Sequence, residues 1–224
     1  MKKLGRICSI LIMVAACTLI AQGGAIVAYS DPTGVGNQSF GGTLGWDFNV
    51  NSPSGIKVYS VGAFDSGQDG FQNPITLSIY DLSNTASPLF TKSISGGTLV
   101  GGDRFYSLAV PLFLTPGTYS IVAQGFSQSD PNGNTLFNPL GSFSSPSVND
   151  GGGLISFTGT SRWGMSGFPT NLQSGEIFGA GTFTFDNAAS LSGQATDTAP
   201  EPASVALMGG GLLLVGLWSR RCSR

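Results

Sequence analysis

Between residues 30 and 190 hydrophobic side chains alternate with small or polar ones, and no window there carries an apolar stripe of helical period. Leu44, Trp46, Phe48 and Val50 share one face of a predicted strand whose other face is Gly45, Asp47 and Asn49. Ile75, Leu77 and Ile79 repeat the pattern. Tyr106, Leu108, Val110, Leu112 and Leu114 carry it across 105–114, with Pro111 marking an edge or a bulge. After a Thr115-Pro116-Gly117 turn, Tyr119, Ile121 and Ala123 alternate again. Further runs lie at 154–158 and 181–185, with weaker ones at 55–64 and 89–94. Many short strands separated by Gly, Pro and Asn predict an all-β fold, an antiparallel β-sandwich of jelly-roll-like type. Its expected span is residues 29–186, enough for one core.

Composition narrows the chemistry. Of 224 residues, 34 are Gly and 12 Pro, and only 10% are charged, against roughly 25% in an ordinary soluble domain. Aromatics at 10% are too frequent for simple disorder. The chain has no histidine, which removes every His-based triad and the commonest transition-metal ligand. Cys8, Cys17 and Cys222 all lie close to an end, so no disulfide and no Cys-rich zinc site can form in the middle. No Gly-x-Ser-x-Gly elbow is present. Glu176 is the one Glu of the middle, and no spacing announces a carboxylate pair for glycoside hydrolysis. The expected protein is not an enzyme.

The two ends read as address labels. Lys2, Lys3 and Arg6 precede an apolar run from Ile7 to Ile20 and then small residues, the plan of a secretory signal peptide over residues 1–25. Cleavage after Ala21, Ala25 or Ala28 fits. Val14-Ala15-Ala16-Cys17 is also lipobox-like, which would make Cys17 a lipidated N-terminus, although Thr18 to Ala21 continues the apolar stretch. At the other end, Ala203 to Trp218 gives sixteen residues without a charge, about 24 Å as a helix. That is short for a hydrocarbon core of about 30 Å, so flanking residues must help it span. Basic residues at both ends hold both ends in the cytoplasm and put the middle outside. Between those ends only Lys57, Lys92, Arg104 and Arg162 stand against all 12 acids, a poor balance for nucleic-acid binding. Residues 187–199 are small and polar, as expected of a flexible linker.

Pro200-Glu201-Pro202, the apolar helix at 203–218, and Arg220, Arg221 and Arg224 together resemble the PEP-CTERM sorting signal, over residues 200–224. The resemblance implies an exosortase-type membrane protease as partner and transient anchoring in the inner membrane. It also implies cutting near Pro200-Glu201-Pro202, then release to the cell surface or the extracellular space. Proteins with such tails are associated with exopolysaccharide and biofilm matrix. Leu44-Gly45-Trp46-Asp47-Phe48, the run from Ile75 to Asp81, and Leu114 to Tyr119 loosely resemble secreted β-sandwich modules of DUF4082-like type. That likeness implies a wall- or glycan-associated module without a known reaction.

Candidate binding residues are few. Residues 127–153 lack a strand pattern and are expected to form a long loop, either a mobile, solvated insertion or one that contacts a ligand together with Trp163. Within it, Asp130, Asn132 and Asn134 place oxygen side chains at alternate positions, in partial likeness to a calcium loop. Thr135 stands where such a loop has glycine and Gly141 where it has its bidentate Glu, and turn chemistry explains the same residues. Asp65 to Gly70 is judged alike. Trp46 belongs to the alternating core, whereas Trp163 follows a strand in Gly-rich surroundings and is the candidate for contact with a glycan. Two functions are therefore expected in order: a structural or adhesive envelope protein, and, as the alternative, a secreted carbohydrate-binding module.

Overall fold

The structure is a computed structural model that describes residues 25–137 and 141–191. It is all-β and every strand pairing is antiparallel. The chain runs through β1 (Ile26–Val27), β2 (Tyr29–Ser30), β3 (Thr43–Val50), β4 (Ile56–Phe64), β5 (Ile75–Asp81), β6 (Phe90–Ile94) and β7 (Thr98–Val100). It continues with β8 (Asp103–Leu114), β9 (Gly117–Gln124), β10 (Gly133–Asn134), β11 (Ser147–Val148), β12 (Ile155–Gly164), β13 (Asn171–Ser174), β14 (Phe178–Gly179) and β15 (Gly181–Asn187). A six-stranded sheet in the order β13-β12-β3-β9-β5-β6 faces a five-stranded sheet in the order β1-β15-β4-β8-β7. Two small ladders, β10-β14 and β11-β2, tie the loops to this sandwich-like body.

Period-two alternation places the core. Leu44, Trp46, Phe48 and Val50 of β3 join Ile75, Leu77, Ile79, Tyr119, Ile121 and Ala123 on the inner face of the larger sheet. Ile56, Val58, Val61, Phe183 and Phe185 answer from the smaller one. Phe48 and Phe183 meet across the gap with ring centroids 4.8 Å apart, and Phe157 stacks on Trp46 at 4.2 Å. At Gly181 the sheets come too close for a side chain, since a Cβ there would stand 2.9 Å from Leu77 Cδ2.

Two strands depart from simple alternation. In β8 the ladder with β4 jumps from Ser60–Ser107 to Val58–Leu112, so residues 108–111 bulge around Pro111, which cannot donate to the ladder. The expected single face of β8 is therefore split. Phe105 and Leu114 are buried, while Tyr106 is exposed and Val110 is 79% exposed. In β12 the register with β3 shifts between Phe157 and Ser161, and Gly159 takes φ +74° within the bulge. Beyond it, Arg162 lies opposite Gly45 and its Nε reaches both oxygens of buried Asp47 at 2.7 and 2.8 Å.

The expected solvated loop at 127–153 is instead anchored. Its residues supply β10 and β11, and Asp130, Asn132, Asn134 and Phe143 are buried. The Asp65 segment is also structural. Asp65 lies 2.6 Å from Arg104 Nη2 and accepts from the Gly70 N–H, flanking a short 3₁₀ turn at Ser66–Gln68. The signal peptide (but for Ala25), the linker beyond residue 191 and the expected membrane helix at 203–218 lie outside the described residues. Among the described residues no helix is long and apolar enough to cross a membrane.

One electrostatic cost stands inside this frame. Asp31 and Asp103 are both buried side by side. Burial, then repulsion from Asp103, raises Asp31 well above the usual carboxylate range, and burial pushes Asp103 up to about 6. Raised carboxyl pKa values mean that the folded chain binds more protons than the unfolded one between about pH 4 and pH 7. With chelator present, the thermal midpoint should therefore rise as pH falls from about 7 to about 5, and Asp31→Asn should flatten that rise. A midpoint that falls over this range would refute it.

Candidate functional site

Trp163 is placed by the β12 ladder, opposite Leu44 of β3 and Asn171 of β13. It stands where β3 begins and β12 ends, 37% exposed, so its indole borders both core and solvent. Phe40 meets it edge-on, with centroids 6.2 Å apart and planes at 87°. Together with Gln38, Leu44, Glu176 and Phe178 these rings enclose an open hollow of about 240 Å³. A flat aromatic surface beside an amide and a single carboxylate suits stacking and hydroxyl recognition. Acid–base glycoside hydrolysis uses two carboxyl groups, and Glu176 is the one acid lining this hollow.

The three residues expected as weak calcium ligands are engaged elsewhere. Asp130 accepts from the N–H groups of Gln72 and Asn73, at 2.9 and 3.1 Å. The Asn132 side-chain Oδ1 accepts from the Phe40 N–H at 3.1 Å, and its Nδ2 donates to Gln38 Oε1 at 2.8 Å. Asn134 accepts from the N–H groups of Leu136 and Phe137. Each oxygen is thus taken by a separate stretch of chain. Among the described residues no three of His, Cys, Asp and Glu gather as a metal cluster.

These staples build the hollow. Asn132 fixes Gln38 and Phe40 on one wall. Thr135 fixes the other: its N–H donates to the Ile177 carbonyl, and its hydroxyl accepts from the Ile177 N–H at 3.0 Å. That bond, with the β10–β14 ladder, holds Glu176 and Phe178 in place. The sequence had singled out Trp163 and the long loop, and the fold brings them to one place through Asn132. It had not singled out Gln38, Phe40 or Phe178, which belong to no periodic run. Trp46, expected in the core, is buried there.

The other functional element is linear. Pro200, Glu201, Pro202, Arg220, Arg221 and Arg224 lie outside the described residues. Residues 198–221 match the family model described as the PEP-CTERM protein-sorting motif. No curated protein and no solved structure matches the chain. The molecule is therefore an all-β body followed by a PEP-CTERM sorting motif, and that motif implies exosortase-dependent export with membrane-associated sorting before processing.

Asn132 tests the construction of the hollow. Asn132→Ala would leave the part-buried Phe40 N–H and the Gln38 side-chain oxygen each without a partner, a cost of about 1–3 kcal/mol per orphaned group. Denaturant unfolding should show a loss of about 2–4 kcal/mol. A loss below about 0.5 kcal/mol would mean that the loop does not hold the walls.

Proposed function

We propose that this is an exported, non-enzymatic protein of the cell surface or extracellular matrix, associated with biofilm or exopolysaccharide. In this reading it is handed to its final location by an exosortase-type membrane protease. The observation that carries it is the sorting motif at 198–221 behind a folded body. A signal peptide at the N-terminus and a membrane helix at 203–218 supply the two spans that topology requires. The body fits a scaffold or adhesive role: its interior is filled by side chains, and both its arginines are spent on ion pairs inside the fold. Nested pairing, β3 with β9 in one sheet and β4 with β8 in the other, supports the jelly-roll-like description.

The mature mass tests the processing route. Protein recovered from the producing cells is expected to lack both the leader and everything beyond the Pro200-Glu201-Pro202 region. A mature chain that still ends at Arg224 would leave a simple anchor in its place.

A second reading is favoured by the hollow at Trp163, which supports carbohydrate binding. A glycan array probed with the full chain in mild detergent separates the two. Under the binding reading, Trp163→Ala should weaken retention by about tenfold or more, as expected for removal of an aromatic anchor. Absence of any glycan signal from the unsubstituted chain would leave the structural role.

A further inference from the structure

Asp31 follows β2 and Asp103 opens β8, and the Asp31 N–H donates to Asp103 Oδ2 at 2.8 Å. Asp31 is 3% exposed and Asp103 fully buried. That bond sets the two buried carboxyl groups side by side. Yet both carboxylate oxygens of Asp31 and Oδ1 of Asp103 have no hydrogen-bond partner. No basic side chain among the described residues answers them. Arg104 is turned to Asp65 and to the carbonyls of Gly97 and Gln68. Arg162 holds Asp47, Lys92 lies over the Tyr106 ring, and Lys57 stands in the β4 ladder opposite Phe113 and Asp186.

Two neighbouring carboxylates withdrawn from water cannot stay charged alone; they take up a proton or a metal ion. The geometry points to a buried divalent-cation site of calcium type built on Asp31 and Asp103. The free groups are acceptor oxygens, the ligand set of a hard cation. The surroundings are shaped for close approach. A Cβ on Gly102 would stand 2.4 Å from the Pro32 carbonyl oxygen and 2.8 Å from that of Asp31. A Cβ on Gly179 would stand 3.0 Å from Asp31 Oδ1 and 2.6 Å from Phe143 Cζ. The Phe143 ring, packed edge-on to Phe64 at 5.2 Å, thus covers the Asp31 side. Such cover favours calcium over magnesium, which gives up its waters reluctantly. Two acids do not fill a calcium shell of about six to eight oxygens, and water would have to complete it. An ion here would clamp the segment after β2 to β8. Extracellular calcium modules work at affinities of about 10⁻⁴–10⁻³ M, which suits a protein that completes its fold after export.

The test is thermal unfolding of the full chain in mild detergent at neutral pH, after metal depletion, in calcium chloride against EGTA. Saturating calcium should raise the midpoint by about 5 °C or more. Titration calorimetry with calcium chloride should show one site per chain. Asp31→Asn and Asp103→Asn should each abolish the shift; in either variant the new amide can donate to the remaining carboxylate, which keeps the pair foldable. Asp130→Asn should retain the shift, separating this site from the long loop. Equal midpoints in calcium and EGTA would overturn the proposal, as would a calcium shift that survives both Asp31→Asn and Asp103→Asn.

Discussion

The contact between Phe48 and Phe183 joins the two sheets, and the rest of the body is arranged around it. With no cysteine among the described residues and one residue in ten charged, apolar burial has to supply most of the cohesion. The rings around this contact form a continuous cluster: Tyr119 stacks on Phe48, Phe157 on Trp46, and Phe185 leans on Phe183. Ion pairs play a different part. Asp47 with Arg162 and Asp65 with Arg104 each pin a bulged or turned segment to a strand, and all four side chains are largely withdrawn from water. Such pairs specify where a segment lies more than they add to stability.

A loop that looked like solvated filler serves two parts of the molecule. Through Asn132 and Thr135 it sets both walls of the hollow around Trp163. Through Phe143 it covers the Gly133–Gly179 step of the β10–β14 ladder beside Asp31. Small glycines on the ladder make room for the ring, and amide side chains anchor the loop beyond its two-residue ladders. Asn37 alone bridges to Asn134 and to the carbonyls of Phe137 and Gly141. The surface hollow and the buried acid pair are thus governed by one stretch of chain.

Legibility followed physical cause. The long strands were readable because a face buried on one side writes a period of two into the sequence, as in Leu44 to Val50. The two-residue strands β1, β2, β10, β11 and β14 have no period to read. The β8 face departs from simple alternation because the bulge at Pro111 shifts its register by several residues. Asp130, Asn132 and Asn134 were read toward two chemistries, since the oxygen that binds an ion also accepts a backbone N–H, and only the fold shows which partner arrives. Gln38, Phe40 and Phe178 belong to no periodic run, and only the fold brings them to Trp163 and Glu176. Asp31 and Asp103 lie far apart in sequence and share no motif. The sorting tail was legible throughout because it acts as a linear string whose meaning does not depend on folding.

The pairing of β1 with β15 has a mechanical consequence. Ile26 lies opposite Phe185 and Val27 opposite Thr184, so the chain enters and leaves the body along the same seam, in opposite directions. A load drawn between the two ends would not shear this ladder. It would open it as a zipper, one backbone pair at a time. The two-residue β1 would yield first, long before force reached the aromatic cluster between the sheets.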